Sequence, residues 1–365
     1  MGVRRIAALP ALGVALLVLA GCGTPSDAPP PRATGPASTS GPSEALTSAA
    51  PETVTTVAEG LAAPWSIAFH EGAPLVSERD SARILEVADD GALREVAVIE
   101  GVLARGEGGL LGIAVRDGWL YAYSTTADGN RVERYALTGE RGALALADGE
   151  TILDGVPSAG NHNGGRIAFG PDGMLYVTTG DAAQPALAQD PGSLAGKILR
   201  LEPDGSVPAD NPIAGSPVWS LGHRNPQGIA WDDDDTMYAA EFGQDTWDEL
   251  NVIEPGANYG WPEVEGAEGR EGFVDPVQQW ATSEASPSGI AVAGGEVVIA
   301  NLRGARLRAV PLDDLGAASE PLAGQGRLRD AVVAPDGSLW VLTNNTDGRG
   351  APRDGDDRIL RVPVG

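Results

Sequence analysis

One short apolar phrase occurs six times between residues 65 and 333, and this repetition constrains the fold more than any other feature of the chain. In each copy, a turn-forming segment precedes a run of mostly apolar residues, and another turn or polar segment follows. Three copies continue into an Asp-Gly pair and a further apolar run, a pattern that is typical of a β-hairpin. The six copies are centred on Ile67, Ile113, Ile167, Ile229, Ile290 and Ala331.

The spacing of the copies predicts a repeat architecture built from strands. Successive copies are 41 to 62 residues apart, and each interval holds several short apolar runs bounded by Gly, Pro, Asp or Asn. An interval of about 50 residues matches a four-stranded blade, so six copies predict an all-β, six-bladed β-propeller. An all-β pair of sandwiches is the alternative. Extra loops are expected at roughly 181–195 and 244–272, and long loops on a rigid scaffold commonly carry function.

The first 52 residues differ in composition from the rest of the chain. Residues 1–21 hold Arg4 and Arg5 and then an apolar stretch, which predicts a secretory signal peptide too short to be a stable membrane span. The stretch ends in Leu-Ala-Gly directly before Cys22, the only cysteine, and this resembles the cleavage site of bacterial lipoproteins. Lipidation of Cys22 is therefore expected. The alternative is a secreted protein with an incidental cysteine.

Residues 22–52 are rich in Pro, Ser, Thr, Ala and Gly, which predicts a flexible tether, and residues 53–365 are expected to form the propeller. The protein would then be exported and anchored by lipid to the outer face of the bacterial cell membrane. The formal net charge of −26 argues against a nucleic-acid partner, because phosphate binding needs a basic surface. Acidic loops are suited to calcium instead.

His162 is the strongest candidate for a catalytic base. It lies in a glycine-rich loop, residues 160–166, directly before the third copy of the repeat, and such a loop suits an exposed polar side chain. Imidazole is the side chain that most often moves protons near neutral pH. Asp181 follows the next predicted strand and is expected to accept the other ring proton. A structural loop histidine is the alternative.

Further polar groups lie near equivalent positions of other repeats, and propeller loops converge around the central axis. One pocket is therefore expected to collect them. Arg327 and Arg329 are two residues apart, so on an extended strand both guanidinium groups can face one ligand, and paired arginines bind planar carboxylates well. The candidate set is Glu107, Arg224, Asn225, Arg303, Arg327 and Arg329.

These segments are similar to those of the soluble glucose and aldose sugar dehydrogenases that depend on pyrroloquinoline quinone (PQQ). The matching segments span about 60 to 362, and they are 108–112, 162–181, 222–227, 241–249, 256–262 and 327–329. The resemblance implies a six-bladed propeller with the quinone in a polar depression on the axis. It also implies oxidation of an aldose sugar at the anomeric carbon to a lactone, with hydride passing to the quinone.

The resemblance further implies roles for individual residues. His162 resembles the family's catalytic base, and Asp181 resembles the partner of that base. Arg224 and Asn225 resemble the residues that contact the reacting quinone carbonyl and stabilise the reduced cofactor. Arg224 is thus expected to be both catalytic and cofactor-binding.

The remaining cofactor contacts come from three arginines and one departure from the family pattern. Arg327 and Arg329 resemble the clamp on the quinone carboxylates, and Arg303 stands where the family commonly has a lysine. Glu107 occupies the place of a glutamine beside the quinone. An added negative charge there should weaken the binding of an anionic cofactor, unless Glu107 is protonated or paired with an arginine.

Calcium is implied by the same resemblance. The backbone carbonyls of Gly243 and Gln244 match those that hold the active-site calcium, which acts as a Lewis acid on the quinone. Gln244 replaces a proline, a change that a carbonyl ligand tolerates. Glu249 and Tyr259 fall in the segment that resembles a second, structural calcium site.

The leading hypothesis is a lipid-anchored oxidoreductase of aldose sugars that uses PQQ and calcium. The preferred sugar and the natural electron acceptor stay open. A non-catalytic propeller that binds a glycan or a protein at the cell surface is the alternative from another class. A metal-dependent lactonase would need several carboxylates and Asn converging on one calcium, and the arginine-rich loops argue against it.

Overall fold

Residues 53–363 are described by a computed structural model, and they form six antiparallel sheets of four strands each. The predicted signal peptide, Cys22 and the predicted tether lie outside the described residues, so these remain predictions. Within residues 53–363, no helix has the length and apolar character needed to cross a membrane.

The strands follow one another in chain order within each blade, except for the first. Strand β1 (Thr55–Glu59) belongs to the last blade. Blade 1 contains β2 (Pro64–His70), β3 (Ala73–Glu78), β4 (Arg83–Val87) and β5 (Leu93–Val98). Blade 2 contains β6 (Leu110–Arg116), β7 (Trp119–Thr126), β8 (Gly129–Thr138) and β9 (Ala145–Val156). Blade 3 contains β10 (Ile167–Phe169), β11 (Leu175–Thr179), β12 (Lys197–Leu201) and β13 (Val218–Leu221).

The second half of the ring repeats this plan. Blade 4 contains β14 (Pro226–Trp231), β15 (Met237–Glu241), β16 (Trp247–Ile253) and β17 (Gln278–Ala281). Blade 5 contains β18 (Pro287–Ala293), β19 (Glu296–Asn301), β20 (Arg306–Pro311) and β21 (Ser319–Ala323). Blade 6 contains β22 (Leu328–Val333), β23 (Leu339–Thr343) and β24 (Arg358–Val362), and β1 completes it as the outermost strand.

The six repeat copies form the first strands β2, β6, β10, β14, β18 and β22. Each of these contacts its counterpart in both neighbouring blades, and the contact between β2 and β22 completes the circle. The prediction of an all-β, six-bladed propeller is confirmed, and the sandwich alternative is wrong. The ring is closed by β1, which pairs antiparallel with β24 so that Thr55 lies opposite Arg361.

The core lies between the blades, because each blade packs its two faces against its neighbours. Strands β3 and β11 are therefore buried along their whole length, whereas the outer strand β9 is largely exposed. Aromatic pairs bridge adjacent blades: the ring centroids of Tyr121 and Phe169 are 4.9 Å apart, and those of Tyr176 and Trp231 are 5.0 Å apart. Such edge-on pairs contribute about 1 kcal/mol each beyond the burial of area.

The predicted loops are partly confirmed. The connection after β11 is long and holds a short 3₁₀ helix, Pro185–Gln189. The second predicted loop, 244–272, was wrong in its first part, because Trp247–Ile253 forms β16 and pairs along its length with β15. The acidic residues of β16 obscure its strand character in the sequence, although Leu250 and Ile253 of the same strand are buried. The long connection of blade 4 spans 254–277.

Candidate active site

One polar cavity opens at the end of the ring where the loops before the innermost strands meet those between the second and third strands. Its volume is about 440 Å³, within the range of ligand pockets. Two carboxylates, Glu107 and Asp248, lie in its wall, so the formal charge of the wall is clearly positive although the whole chain carries −26. The arginines in the wall are Arg79, Arg224, Arg303, Arg327, Arg329 and Arg349.

His162 is held in a backbone conformation that few residues other than glycine adopt. Its φ is 57°, in the left-handed region, and such outliers cluster at functional sites. The His162 N–H donates to Glu107 Oε2 at 3.0 Å, and the His162 carbonyl accepts the Ala182 N–H at 3.1 Å. These two bonds hold the loop of blade 3 in the position that turns the imidazole toward the cavity.

The imidazole of His162 lies between an acid and a cation. Its Nδ1 is 2.8 Å from Asp181 Oδ1, and its Nε2 is 2.7 Å from Arg224 Nη2. A guanidinium can only donate, so Nε2 must accept and the proton of the neutral ring must be on Nδ1. The ring is therefore the tautomer in which the nitrogen nearer the cavity has the lone pair that a base requires.

Asp181 is fully buried, and all of its close partners are donors. Its Oδ1 also accepts the Ala183 N–H at 2.8 Å, and its Oδ2 accepts the indole N–H of Trp261 at 2.8 Å. A carboxylate fixed by three donors cannot rotate freely, so it fixes the imidazole as well. Trp261, from the long connection of blade 4, was not singled out in the sequence.

The loop that carries Asp181 is tied down by Lys197 at the start of β12. The Lys197 ammonium is buried and donates to the carbonyls of Leu187, Ala188 and Ala195 at 2.8, 3.0 and 2.7 Å. Burial lowers the pKa of Lys197 to about 8. Three carbonyl acceptors satisfy the ammonium and close the loop around it.

Arg224 joins the imidazole to the loop between β15 and β16. Its Nε and Nη2 donate to Gln244 Oε1 at 3.0 and 2.6 Å, and its Nη1 donates to the Phe242 carbonyl at 3.0 Å. Its guanidinium also lies over the ring of Trp261, 5.4 Å from the centroid. The side chain of Gln244 thus acts on Arg224, a contact that the sequence did not indicate.

Arg327 and Arg329 line the cavity together, as predicted from their spacing. Arg327 is paired with the buried Asp347 at 3.0 Å, whereas Arg329 donates only to Gln227 Oε1 at 2.8 Å and Ser288 Oγ at 3.3 Å. Burial, reinforced by neighbouring arginines, lowers the pKa of Arg329 to about 9. The Nε atoms of both arginines are buried without a hydrogen-bond partner among residues 53–363.

Glu107 is paired with an arginine that the sequence reasoning missed. Its Oε1 is 2.9 Å from Arg349 Nη1, in the loop between β23 and β24. Burial alone would raise the pKa of Glu107, but the His162 N–H and Arg349 outweigh it, so the pKa lies below its ordinary value. Glu107 is therefore ionised and paired, not protonated.

Of two further predicted cofactor contacts, Arg303 lies in the cavity wall and Asn225 lies behind it. Arg303 lines the cavity with a loose contact, 3.5 Å from Nη1 to the Thr282 carbonyl. Asn225 does not line the cavity: it is fully buried, and its Oδ1 accepts the Gly164 N–H at 3.0 Å. The structure therefore gives Asn225 a supporting position behind the loop of His162.

The four predicted metal ligands fall into two places. Gly243 and Gln244 line the cavity, and neither carbonyl oxygen accepts a hydrogen bond within the described part of the chain. Glu249 and Tyr259 lie away from the cavity wall, and burial followed by the charge of Glu241 raises the pKa of Glu249 to about 8. No group of three or more His, Cys, Asp or Glu side chains between residues 53 and 363 is placed to hold a metal ion.

The wall residues that sequence reasoning missed include Arg79, Asp248 and Arg349. Arg79 directly follows β3, Asp248 lies at the start of β16, and Arg349 lies in the connection between β23 and β24, all on the same end of the ring as His162. That position in the repeat was the available signal. It would have marked these residues as candidates, although not their partners.

Comparisons with known proteins find relatives in sequence and in overall structure. The family model for Glucose / Sorbosone dehydrogenase matches residues 61–360. The PQQ-bound aldose sugar dehydrogenase of Streptomyces coelicolor superposes with a TM-score of 0.81 at 50% identity, covering 86% of this chain and 99% of that one. Aldose sugar dehydrogenase YliI of Escherichia coli is 30% identical over 353 residues, 82% of this chain and 92% of the relative. Quinoprotein glucose dehydrogenase B of Acinetobacter calcoaceticus is 31% identical over 239 residues, 54% of this chain and 50% of the relative.

Proposed function

Because the chain belongs to the glucose/sorbosone dehydrogenase family, we propose that it oxidises aldose sugars at the anomeric carbon to lactones, with PQQ as cofactor and calcium as metal. The observation that carries this proposal is the ring of His162, held at 2.8 Å from Asp181 and facing an arginine-lined cavity. The relatives that bear the names aldose sugar dehydrogenase and quinoprotein glucose dehydrogenase support the substrate class.

The cavity suits a flat, polyanionic cofactor. Carboxylates bind well to paired guanidinium groups, and the buried Arg329 forms no salt bridge with any carboxylate between residues 53 and 363. The unpartnered Nε atoms of Arg327 and Arg329 are further donors that an acidic ligand would satisfy. We infer that these two arginines hold the quinone carboxylates.

Calcium is assigned to the carbonyl oxygens of Gly243 and Gln244. Both residues line the cavity, and oxygen atoms that accept no other bond are the ligands that calcium prefers. No carboxylate cluster among the described residues adds further ligands, so these two carbonyls are the groups of the chain that would hold the ion, which would act as a Lewis acid. A second calcium near Glu249 and Tyr259 stays part of this proposal.

The chain's own residues perform the proton chemistry. A bound quinone supplies an acceptor for hydride from the anomeric carbon. Nε2 of His162 takes the proton of the anomeric hydroxyl, after the Arg224 guanidinium, now 2.7 Å away, has moved from it. The buried Asp181 then stabilises the imidazolium through the Nδ1 bond.

Reconstitution tests the proposed function. Purified protein stripped of metal is titrated with PQQ and calcium while its absorption is followed, and dye reduction is then measured across a panel of aldoses. We expect a saturable spectral change and turnover that needs both additions. Absence of both cofactor uptake and turnover with every sugar would refute the proposal. Uptake without calcium dependence would remove the metal alone.

The alternative of a non-catalytic binding propeller drew some support from the charge of Glu107 beside an anionic cofactor. The salt bridge between Glu107 and Arg349, at 2.9 Å, weakens that argument. A propeller that only binds a glycan would show no quinone uptake in the same titration.

Trp261→Phe is expected to lower kcat/KM about tenfold. The indole N–H donates a hydrogen bond to the buried Asp181 carboxylate, and hydrogen bonds to charged groups contribute about 1.5–3 kcal/mol. Loss of this donor frees Asp181 to rotate and loosens the imidazole. The matched control is Trp219→Phe, since the buried Trp219 indole N–H has no partner among the described residues. Steady-state kinetics with one aldose distinguishes them; equal losses in both variants would contradict the role of Trp261.

A further inference from the structure

Two carboxylates lie in the cavity wall, and only one of them uses a side-chain cation. Both oxygens of Asp248 accept main-chain N–H groups, from Gly243 at 2.9 Å and from Ser286 at 2.6 Å. Glu107 divides its oxygens differently: Oε2 accepts the His162 N–H at 3.0 Å, and Oε1 binds Arg349 at 2.9 Å.

The Glu107–Arg349 pair joins two blades that are distant in the sequence. Glu107 comes from the loop before β6 in blade 2, and Arg349 comes from the loop after β23 in blade 6, 242 positions later. Arg349 is itself oriented by Asp347, whose Oδ1 accepts the Arg349 N–H at 2.9 Å, while Oδ2 of Asp347 binds Arg327. The same carboxylate therefore orders one arginine of the proposed quinone clamp and the backbone of the arginine that faces Glu107.

An isolated carboxylate in this wall would repel the cofactor proposed above. A glutamine would offer the same acceptor to the His162 N–H without a charge. Glu107 keeps the acceptor and adds a charge, and among the described residues Arg349 is the cation that forms a salt bridge with it. The Arg349 side chain is 55% exposed at the rim, whereas the Glu107 side chain is 17% exposed, so the charge that Arg349 compensates is largely shielded from water.

We propose that Glu107 and Arg349 act as one neutral unit of the cofactor site, in which Arg349 is a positioning residue that cancels the Glu107 charge and so permits PQQ to bind. The inference rests on the proposed function. It assigns Arg349 to the site through Glu107, without a direct contact between Arg349 and the quinone.

A double-mutant cycle tests the unit. The apo-proteins with Glu107→Gln, with Arg349→Gln and with both changes are titrated with PQQ in the presence of calcium, and the dissociation constant is read from absorption. We expect Arg349→Gln to weaken PQQ binding about tenfold, because an uncompensated carboxylate then faces the anion. Glu107→Gln should bind at least as well as the parent, and the double variant should recover to within about threefold of the parent.

Recovery in the double variant is the decisive result. A structural role of Arg349 in folding its loop would leave the double variant as weak as Arg349→Gln, and a direct contact with the quinone would do the same. Either result overturns the proposal. Unchanged affinity in Arg349→Gln overturns it as well.

The control is Arg361→Gln. Arg361 is 53% exposed and pairs with Asp336 at 3.3 Å, a comparable ion pair outside the cavity wall, so its loss should leave the PQQ dissociation constant unchanged. Thermal unfolding of each apo-variant checks that the fold is kept. If the parent protein takes up no PQQ, the proposed function fails and this inference fails with it; if the parent binds and the cycle shows no recovery, only this inference fails.

Discussion

His162→Ala is expected to lower kcat by about 10²–10⁴-fold while the dissociation constant of PQQ changes by less than about threefold. The variant removes the Nε2 lone pair that takes the sugar proton, but it leaves the arginines of the clamp in place. The loop should persist, because the Glu107 bond goes to the main-chain N–H of residue 162 and does not need the ring. Stopped-flow reduction of the bound quinone by an aldose measures the chemical step directly.

The control for this prediction is His70→Ala. His70 ends β2 and does not line the cavity, so it tests the loss of a histidine without loss of the base. Equal losses of turnover and of cofactor affinity in His162→Ala would contradict the assignment of a base and would indicate a binding role. A rate that is unchanged would remove His162 from the chemistry altogether.

Arg329→Met is expected to weaken PQQ binding roughly 10- to 150-fold, because a hydrogen bond to a charged group contributes about 1.5–3 kcal/mol. The apo-protein should unfold at an unchanged or higher temperature. The Arg329 guanidinium forms no salt bridge among the described residues, and burial lowers its pKa more than the nearby Asp347 raises it, so its removal relieves a cost in the empty cavity.

Arg327→Met provides the contrast. Arg327 is paired with Asp347, whose side chain is 1% exposed, and its loss should destabilise the apo-protein by about 3 kcal/mol as well as weaken binding. Absorption titration and thermal unfolding of both variants give the comparison. Arg329→Met with full affinity, or with a large loss of apo stability, would show that Arg329 holds the fold and not the cofactor.

The fold was predictable because each copy of the repeat contains residues whose local conformational preferences mark its turns and strands. The Asp117-Gly118 turn illustrates this: φ is 49° and 77° at the two positions, as a tight hairpin turn requires, and Asp-Gly is a pair that tolerates it. The prediction was wrong where local chemistry misleads. In β16, Asp248 and Glu249 suggested a loop, but the strand pairs with β15 and buries both of them.

The site was predictable to the extent that position in the repeat determines it. His162 and Arg224 occupy equivalent loops of adjacent blades, and Asp181 follows the second strand of the blade of His162, so their meeting follows from the ring. The contacts of Gln244 with Arg224 and of Arg349 with Glu107 do not follow, because they depend on side-chain directions in loops that differ from blade to blade. Trp261 lies in the matching segment 256–262 but was given no role, because its connection spans 254–277 and has no counterpart in the repeat.

The pairing of β1 with β24 has a consequence for assembly. Arg327, Arg329 and Arg349 all stand on blade 6, whose outer edge is completed by residues from the other terminus of the domain. An incompletely joined circle would therefore displace three of the six arginines of the cavity wall. A ligand that recognises only the joined form must in turn stabilise the junction, by about 2.7 kcal/mol when its concentration is a hundred times its dissociation constant. A ligand bound on the axis therefore stabilises the closed propeller as a whole.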